Sequence, residues 1–273
     1  MKPQEKLDAI IAKNNSLVCV GLDSDYKKIP EHLKGDGQNA IFEFNKAVID
    51  ATHDLVCAYK PNTAFYEASG VDGIWQLRQT MMYLHEKYPE IVIVLDAKRA
   101  DIGNTNDGYV RFAFDFLGAD AITLHPYLGG EALKPFLDRE DKAAIILCRT
   151  SNPGSGELQD LKVDGKEFYK HVAETVTTKW NAKGNCMMVV GATYPEELAE
   201  VRKIAGDMTF LVPGIGAQGG DVEKTVAAGK NSQGAGMMIN SSRGIIFASS
   251  GEDFADKARE ETAKLRDEIN KYR

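Results

Sequence analysis

Lys60, Asp96, Lys98 and Asp101 are the side chains whose types and spacing best suit chemistry. The stretch IVIVLDAKRADIGNT, residues 91–105, passes from five apolar residues straight into Asp96, Lys98 and Asp101. The run Ile91 to Leu95 reads as a buried strand. Ions placed where such a strand stops are there to be paired or used, because burying them otherwise is costly. An Asp-x-Lys-x-x-Asp spacing holds a cation between two anions, which keeps a lysine protonated and aimed, as a proton donor must be. Lys60 closes DLVCAYK, residues 54–60, at the matching position of a neighbouring strand. The four groups can then alternate in sign, each favouring the ionised form of its neighbour, and they titrate together. A strand-end salt-bridge network is the plainer reading, but buried ion pairs are a poor route to stability.

Eight apolar runs supply the scaffold: residues 16–23, 54–60, 91–96, 121–126, 143–150, 186–193, 209–216 and 236–242. Between them lies text with helical spacing and mixed charge, such as IFEFNKAVIDATHDL, IWQLRQTMMYLHEKY and PEELAEVRKIAG. Strands apolar throughout, alternating with amphipathic helices, imply a parallel sheet covered by helices. Eight such units favour a closed (β/α)8 TIM barrel over an open doubly wound sheet. A helix over 3–13 precedes the first strand and is expected to plug or cap the barrel base. No linker-like composition breaks the chain, so residues 1–273 are expected to form a single barrel domain. The longest irregular stretch, 151–163, has the composition of a mobile loop near function.

Active sites of such barrels sit at the C-terminal strand ends. Those ends carry Asp23, Lys60, Asp96 with Lys98, His125, Arg149 with Ser151, Thr193, the glycine-rich PGIGAQGG, and Ser242 with Arg243. In PGIGAQGG and the late Ser-Ser-Arg-Gly, glycines let backbone N–H groups approach an anion, and Arg243 offers a fork for phosphate oxygens. Ser151 and Asn152 in RTSNPGSGEL can hydrogen-bond a flat polar ring edge, although a lone loop serine is usually a turn former. Asp23 can accept two hydrogen bonds from sugar hydroxyls or, more plainly, cap a turn. His125, before a proline, reads as a hydrogen-bonded wall residue rather than an acid or base.

The net charge of −7 argues against generic nucleic-acid binding while leaving room for a local phosphate pocket. Cys19, Cys57, Cys148 and Cys186 lie inside apolar runs with no C-x-x-C pair, as small buried hydrophobes of a reducing cytosol would. No run reaches transmembrane length, and the N-terminal text lacks a signal-peptide apolar stretch. No residues have zinc spacing, and there is no P-loop, nucleophile elbow, or dinucleotide fingerprint after the first strand. A cytoplasmic protein without cofactor or metal, and with no nucleic-acid or membrane partner, is expected.

CVGLD, AYKPNTAFYE, LDAKRADIGNT, RTSNPGS, VVGAT, PGIGAQGGD and Ser-Ser-Arg-Gly together resemble the orotidine 5'-phosphate decarboxylase family in its longer bacterial branch. The resemblance spans nearly the whole chain in order and includes the family's Asp-x-Lys-x-x-Asp signature intact. It implies a cofactor-free carboxy-lyase acting on orotidine monophosphate in the last step of de novo UMP synthesis. It also implies a homodimer with shared active sites. By position, Lys98 would protonate the pyrimidine carbon that loses carbon dioxide, Asp96 would face the departing carboxylate, and Lys60 would bridge Asp96 and a ribose hydroxyl. Asp23 would bind ribose, and Asp101 and Thr105 would reach the neighbouring subunit's nucleotide. Ser151 would contact the ring, while Gln218 and Arg243 would grip the phosphate. Ser242 stands where much of the family has glycine before that arginine; its backbone N–H remains available to an anion. Two other readings share the scaffold: a Mg²⁺-dependent sugar-phosphate lyase or aldolase, which needs further metal-binding carboxylates, and a non-catalytic nucleotide-binding protein, which needs no buried proton donor.

Overall fold

A computed structural model of the chain describes residues 2–35, 39–215 and 220–273. Eight strands form its centre: Val18–Leu22 (β1), Ala58–Pro61 (β2), Val92–Arg99 (β3), Ala121–Leu124 (β4), Ala143–Arg149 (β5), Cys186–Val190 (β6), Phe210–Pro213 (β7) and Met237–Ser241 (β8). Each pairs in parallel with its sequence neighbour, and β8 closes onto β1 with Ile239 opposite Val18. The result is the expected (β/α)8 barrel. The strands are buried on both faces, the inner face filling the barrel and the outer lying under helices, which is why they read as unbroken apolar runs.

Amphipathic helices follow the strands, among them Ala40–Thr52 after β1, Gly70–Lys87 after β2, Pro195–Ala205 after β6 and Phe254–Asn270 after β8. The closing seam is sealed by aromatics: the Phe44 ring stacks on Phe247 and Phe254 at centroid distances of 5.5 and 5.1 Å. All four cysteines are buried and free, as their apolar settings suggest.

The helix before β1 spans Pro3–Asn14, with proline in the first turn and the Lys2 N–H donating to Glu5 Oε2 at 3.0 Å. It buries Leu7 and Ile10 against the barrel base. Lys6 Nζ meets Asp120 Oδ2 at 2.7 Å, and the same oxygen accepts the Ile93 N–H at 2.9 Å. The Thr209 hydroxyl donates to Gln4 Oε1 at 2.8 Å. This helix therefore fastens the entrances of β3 and β7, capping the base as expected.

Two expectations need correction. The strand expected to stop at Asp96 continues to Arg99. The stretch 151–163, expected to be irregular, is built. It holds a tight turn at Pro153–Ser155, a helical turn at Gly156–Gln159, and the first strand of a small hairpin pairing Lys162–Val163 with Lys166–Glu167.

At the base, the Arg202 guanidinium gathers the carbonyls of Gly229 (2.9 Å), Gly206 (2.6 Å), Met208 (2.7 Å) and Gly236 (3.0 Å) and lies 3.8 Å from the Phe210 ring centre. Arg202→Met is expected to strand these carbonyls, costing about 2–4 kcal/mol. Thermal unfolding should shift down while catalytic constants stay unchanged; an unshifted melting curve would contradict this.

Candidate active site

A cleft of about 490 Å³ opens at the C-terminal ends of the strands. Asp23, Lys60, Asp96, Lys98, Ser151, Ser242 and Arg243 all line it. Asp101 and Thr105 are absent from that lining.

The Asp96 carboxylate, 7% exposed, is the centre of the charged wall. Its Oδ2 accepts from Lys60 Nζ at 3.0 Å and Asn62 Nδ2 at 3.3 Å. Its Oδ1 accepts from Lys98 Nζ at 2.6 Å and Thr123 Oγ1 at 2.8 Å. Burial pushes the Asp96 carboxyl up, but the Lys60 and Lys98 ammoniums more than reverse this and hold it well below the usual carboxylate range. Burial likewise pulls the Lys60 ammonium down, and Asp96 and Asp23 outweigh it, leaving Lys60 above the usual lysine range. Beneath them, burial pushes the Cys19 thiol up to about 12, so it stays neutral beside the charges.

The alternation of sign is present, but with a different fourth member. Lys60 Nζ lies 3.6 Å from Asp23 Oδ1, whereas Asp101 forms no salt bridge among the described residues. The expected Lys98–Asp101 link within one subunit is therefore corrected. Past the end of β3 the chain turns away: the Asp101 N–H donates to Asn106 Oδ1 at 2.8 Å, and Asp101 Oδ1 accepts the Ile102 N–H at 2.7 Å. Thr105 is exposed on the helix Asn104–Val110. Asp23 Oδ1 is enclosed, and among the described residues its nearest cation is the Lys60 ammonium at 3.6 Å, beyond hydrogen-bond distance.

At the opposite end of the cleft, Pro213, Gly214 and Ile215 face Ser241–Gly244. Gly214 has φ +107°, a conformation that favours glycine, and its carbonyl accepts the Gly220 N–H at 3.1 Å. Ser242 turns its hydroxyl onto β1: a Cβ built on Gly21 would fall 1.8 Å from Ser242 Oγ. The glycine in β1 thus makes room for the Ser242 side chain in the loop after β8. Arg243 is exposed at the rim. Gln218 lies outside the described residues.

Ser151 opens a loop held from behind by Arg149. That buried guanidinium donates to Glu197 Oε1 (3.1 Å), Ser155 Oγ (3.0 Å) and Gln159 Oε1 (3.3 Å), and lies 5.6 and 5.3 Å from the ring centres of Tyr169 and Tyr194. Gln159 also accepts the Thr150 N–H at 2.9 Å and donates to Thr150 Oγ1 at 2.8 Å. Arg149 is thus an anchor behind the cleft. His125 is hydrogen-bonded, as expected, with Nε2 bonding the Ala100 carbonyl at 2.9 Å, but it is not among the residues lining the cleft. Thr193 lines none of it either. Sequence reasoning missed Asn62, Thr123 and Gln159, whose amide and hydroxyl groups carry no signal until the fold places them.

The sequence model of the orotidine 5'-phosphate decarboxylase / HUMPS family matches residues 16–258. The chain belongs to that family. The orotidine 5'-phosphate decarboxylase of Janthinobacterium sp. (strain Marseille) is 52% identical over 268 residues, 98% of each chain. That of Ralstonia pickettii (strain 12J) is 50% identical over the full length of both. Among solved structures, Leishmania donovani OMP decarboxylase superimposes with a TM-score of 0.83 at 40% identity, covering 97% of this chain and 99% of that one. Leishmania donovani UMP synthase gives 0.89 at 41%, covering 100% of this chain and 56% of that longer one. In this family member Asp96 and Lys98, both from β3, share one cleft with Asp23, Lys60 and Arg243.

The charge pattern fixes a pH behaviour. A carboxylate held low contributes stability that is complete above its unfolded value of about 3.9 and is lost as pH falls through its folded value. An ammonium held high contributes stability that is complete below about 10.4 and is lost as pH rises through its folded value. Neither Asp96 nor Lys60 should titrate between about pH 5 and 9. Carbon-13 NMR of the Asp96 carboxyl should show no inflection from about pH 8 down to about 4, and a midpoint near about 3.9 would contradict the clamp.

Proposed function

We propose that this chain converts orotidine monophosphate to UMP and carbon dioxide by direct decarboxylation, the last step of de novo UMP synthesis. The observation that carries this reading is the Asp96 carboxylate clamped between Lys60 at 3.0 Å and Lys98 at 2.6 Å on the cleft wall. Family membership and relatives of about 50% identity named orotidine 5'-phosphate decarboxylase, a carboxy-lyase, support it.

Loss of carbon dioxide from the ring leaves an electron pair on carbon. The Lys98 ammonium stabilises that developing charge and then gives its proton to the same carbon. Its side chain is half exposed toward the cleft, so it can meet substrate while Asp96 holds its ammonium. Asp96 faces the departing carboxylate; their repulsion favours its loss. Lys60 keeps Asp96 anionic and reaches a ribose hydroxyl, and Asp23, beside Lys60 on the cleft wall, accepts from ribose. Ser151 meets the ring edge, and Gln218, Arg243 and the Ser242 backbone N–H hold the phosphate. Phosphate binding far from the reacting carbon supplies energy to order the charged wall.

Asp101 and Thr105 serve the active site of a second copy in a homodimer. Ile102, next to Asp101 in the chain, is an exposed apolar side chain, as are Tyr127 and Leu128 beyond the end of the adjacent β4, which supports a covered face at this end of the barrel. No cofactor or metal takes part, and the substrate is the partner, rather than nucleic acid or membrane. Among the described residues no helix is long and apolar enough to cross a membrane. A cytoplasmic setting accords with the four free cysteines.

Lys98→Ala should retain UMP binding and lose all but a few per cent of turnover, followed by ultraviolet absorbance of orotidine monophosphate in the presence of EDTA. Turnover above that level would remove Lys98 as proton donor, and sensitivity of the unaltered protein to EDTA would favour a metal-dependent lyase. Arg243→Ala should raise KM about 100-fold, the scale of a lost charge-assisted phosphate contact. An unchanged KM would move the phosphate site elsewhere.

A further inference from the structure

Thr123 sits in the middle of β4, is 1% exposed, and faces an interruption in the barrel wall. Leu95 pairs with Ile122 and Arg99 with Leu124, so Asp96, Ala97 and Lys98 all stand opposite Thr123 alone. A ladder cannot hold three residues against one. The Thr123 side chain bridges the gap. Its hydroxyl donates to Asp96 Oδ1 at 2.8 Å and accepts the Lys98 N–H at 3.0 Å.

The direction of this relay follows from chemistry. A backbone N–H can only donate and an ionised carboxylate can only accept, so the single hydroxyl proton points to Asp96 and a lone pair faces Lys98. Lys98 has φ +46°, a left-handed conformation unusual for a residue with a side chain. It is therefore fixed at both ends: its backbone by Thr123, and its ammonium by Asp96 Oδ1 at 2.6 Å, the oxygen that Thr123 also engages. A valine would fill the same space but would leave the Lys98 N–H without its acceptor and Asp96 Oδ1 with the Lys98 ammonium alone.

We infer that Thr123 is a positioning residue, whose hydroxyl sets where the Lys98 ammonium stands relative to Asp96 and thereby the rate of the chemical step. This rests on the proposed role of Lys98, and the experiment keeps the two apart. Thr123→Val, Thr123→Ser and Lys98→Ala are compared for kcat, KM and the Kd of UMP. The inference predicts that Thr123→Val lowers kcat 10- to 100-fold, with KM and UMP Kd within about twofold, and that Thr123→Ser recovers most of the rate. It is overturned if Thr123→Val keeps kcat within twofold. It is also overturned if KM, Kd and kcat all worsen together without serine rescue, which is the mark of general disruption. An active Lys98→Ala sinks the proton-donor role first; an inactive Lys98→Ala beside a fully active Thr123→Val sinks only the present inference. Should the valine variant not fold, amide hydrogen exchange of Lys98 in the unaltered protein decides: protection supports the relay, and exchange at the rate of a free amide overturns it.

Discussion

A carboxylate buried between two ammoniums governs this molecule's active end. An isolated ion in such a place would neutralise or cost several kcal/mol. Asp96 remains ionised because four donors converge on its two oxygens, Lys60 and Asn62 on one and Lys98 and Thr123 on the other. These donors come from β2, the turn after it, β3 and β4. Adjacent parallel strands must keep register for the four to meet. The packed barrel interior, the base-capping helix and the aromatic seam are what hold that register.

The same constraint accounts for local departures from regularity. β3 and β5 both lose simple pairing near their C-terminal ends, between Leu95 and Arg99 and between Leu147 and Arg149. Such irregularities re-aim side chains. In β3 they swing Lys98 back toward Asp96. In β5 they precede Arg149, whose guanidinium fixes the loop that carries Ser151. The reacting wall and the ring-contacting loop are thus both held by side-chain hydrogen bonds where the ladder gives out.

Much of this was legible in the chain. Eight apolar runs forecast eight strands, and charges at their ends forecast one polar mouth. Apolar periodicity is a local signal and survives without knowledge of neighbours. Partnership across strands does not. Spacing alone made Asp101 the second anion for Lys98, yet the turn after Arg99 carries it out of the cleft, and Asp23 from β1 completes the alternation beside Lys60. β1 and β2 are neighbours, but nothing in VGLDSD fixes how far past the strand Asp23 projects. The stretch 151–163 looked irregular because its order comes from Arg149 and Glu197, a contact 48 residues apart in sequence. The room for the Ser242 side chain becomes visible only through Gly21, on the strand that closes the barrel.

The central claim is that Lys98 is delivered to the reacting carbon by Asp96. A crystal structure of the protein with UMP bound tests it most directly. The account predicts Lys98 Nζ within about 3.5 Å of the ring carbon that carried the carboxylate, with Asp96 still bridging Lys60 and Lys98. A Lys98 side chain turned to solvent, leaving Asp96 paired with Lys60 alone, would contradict it.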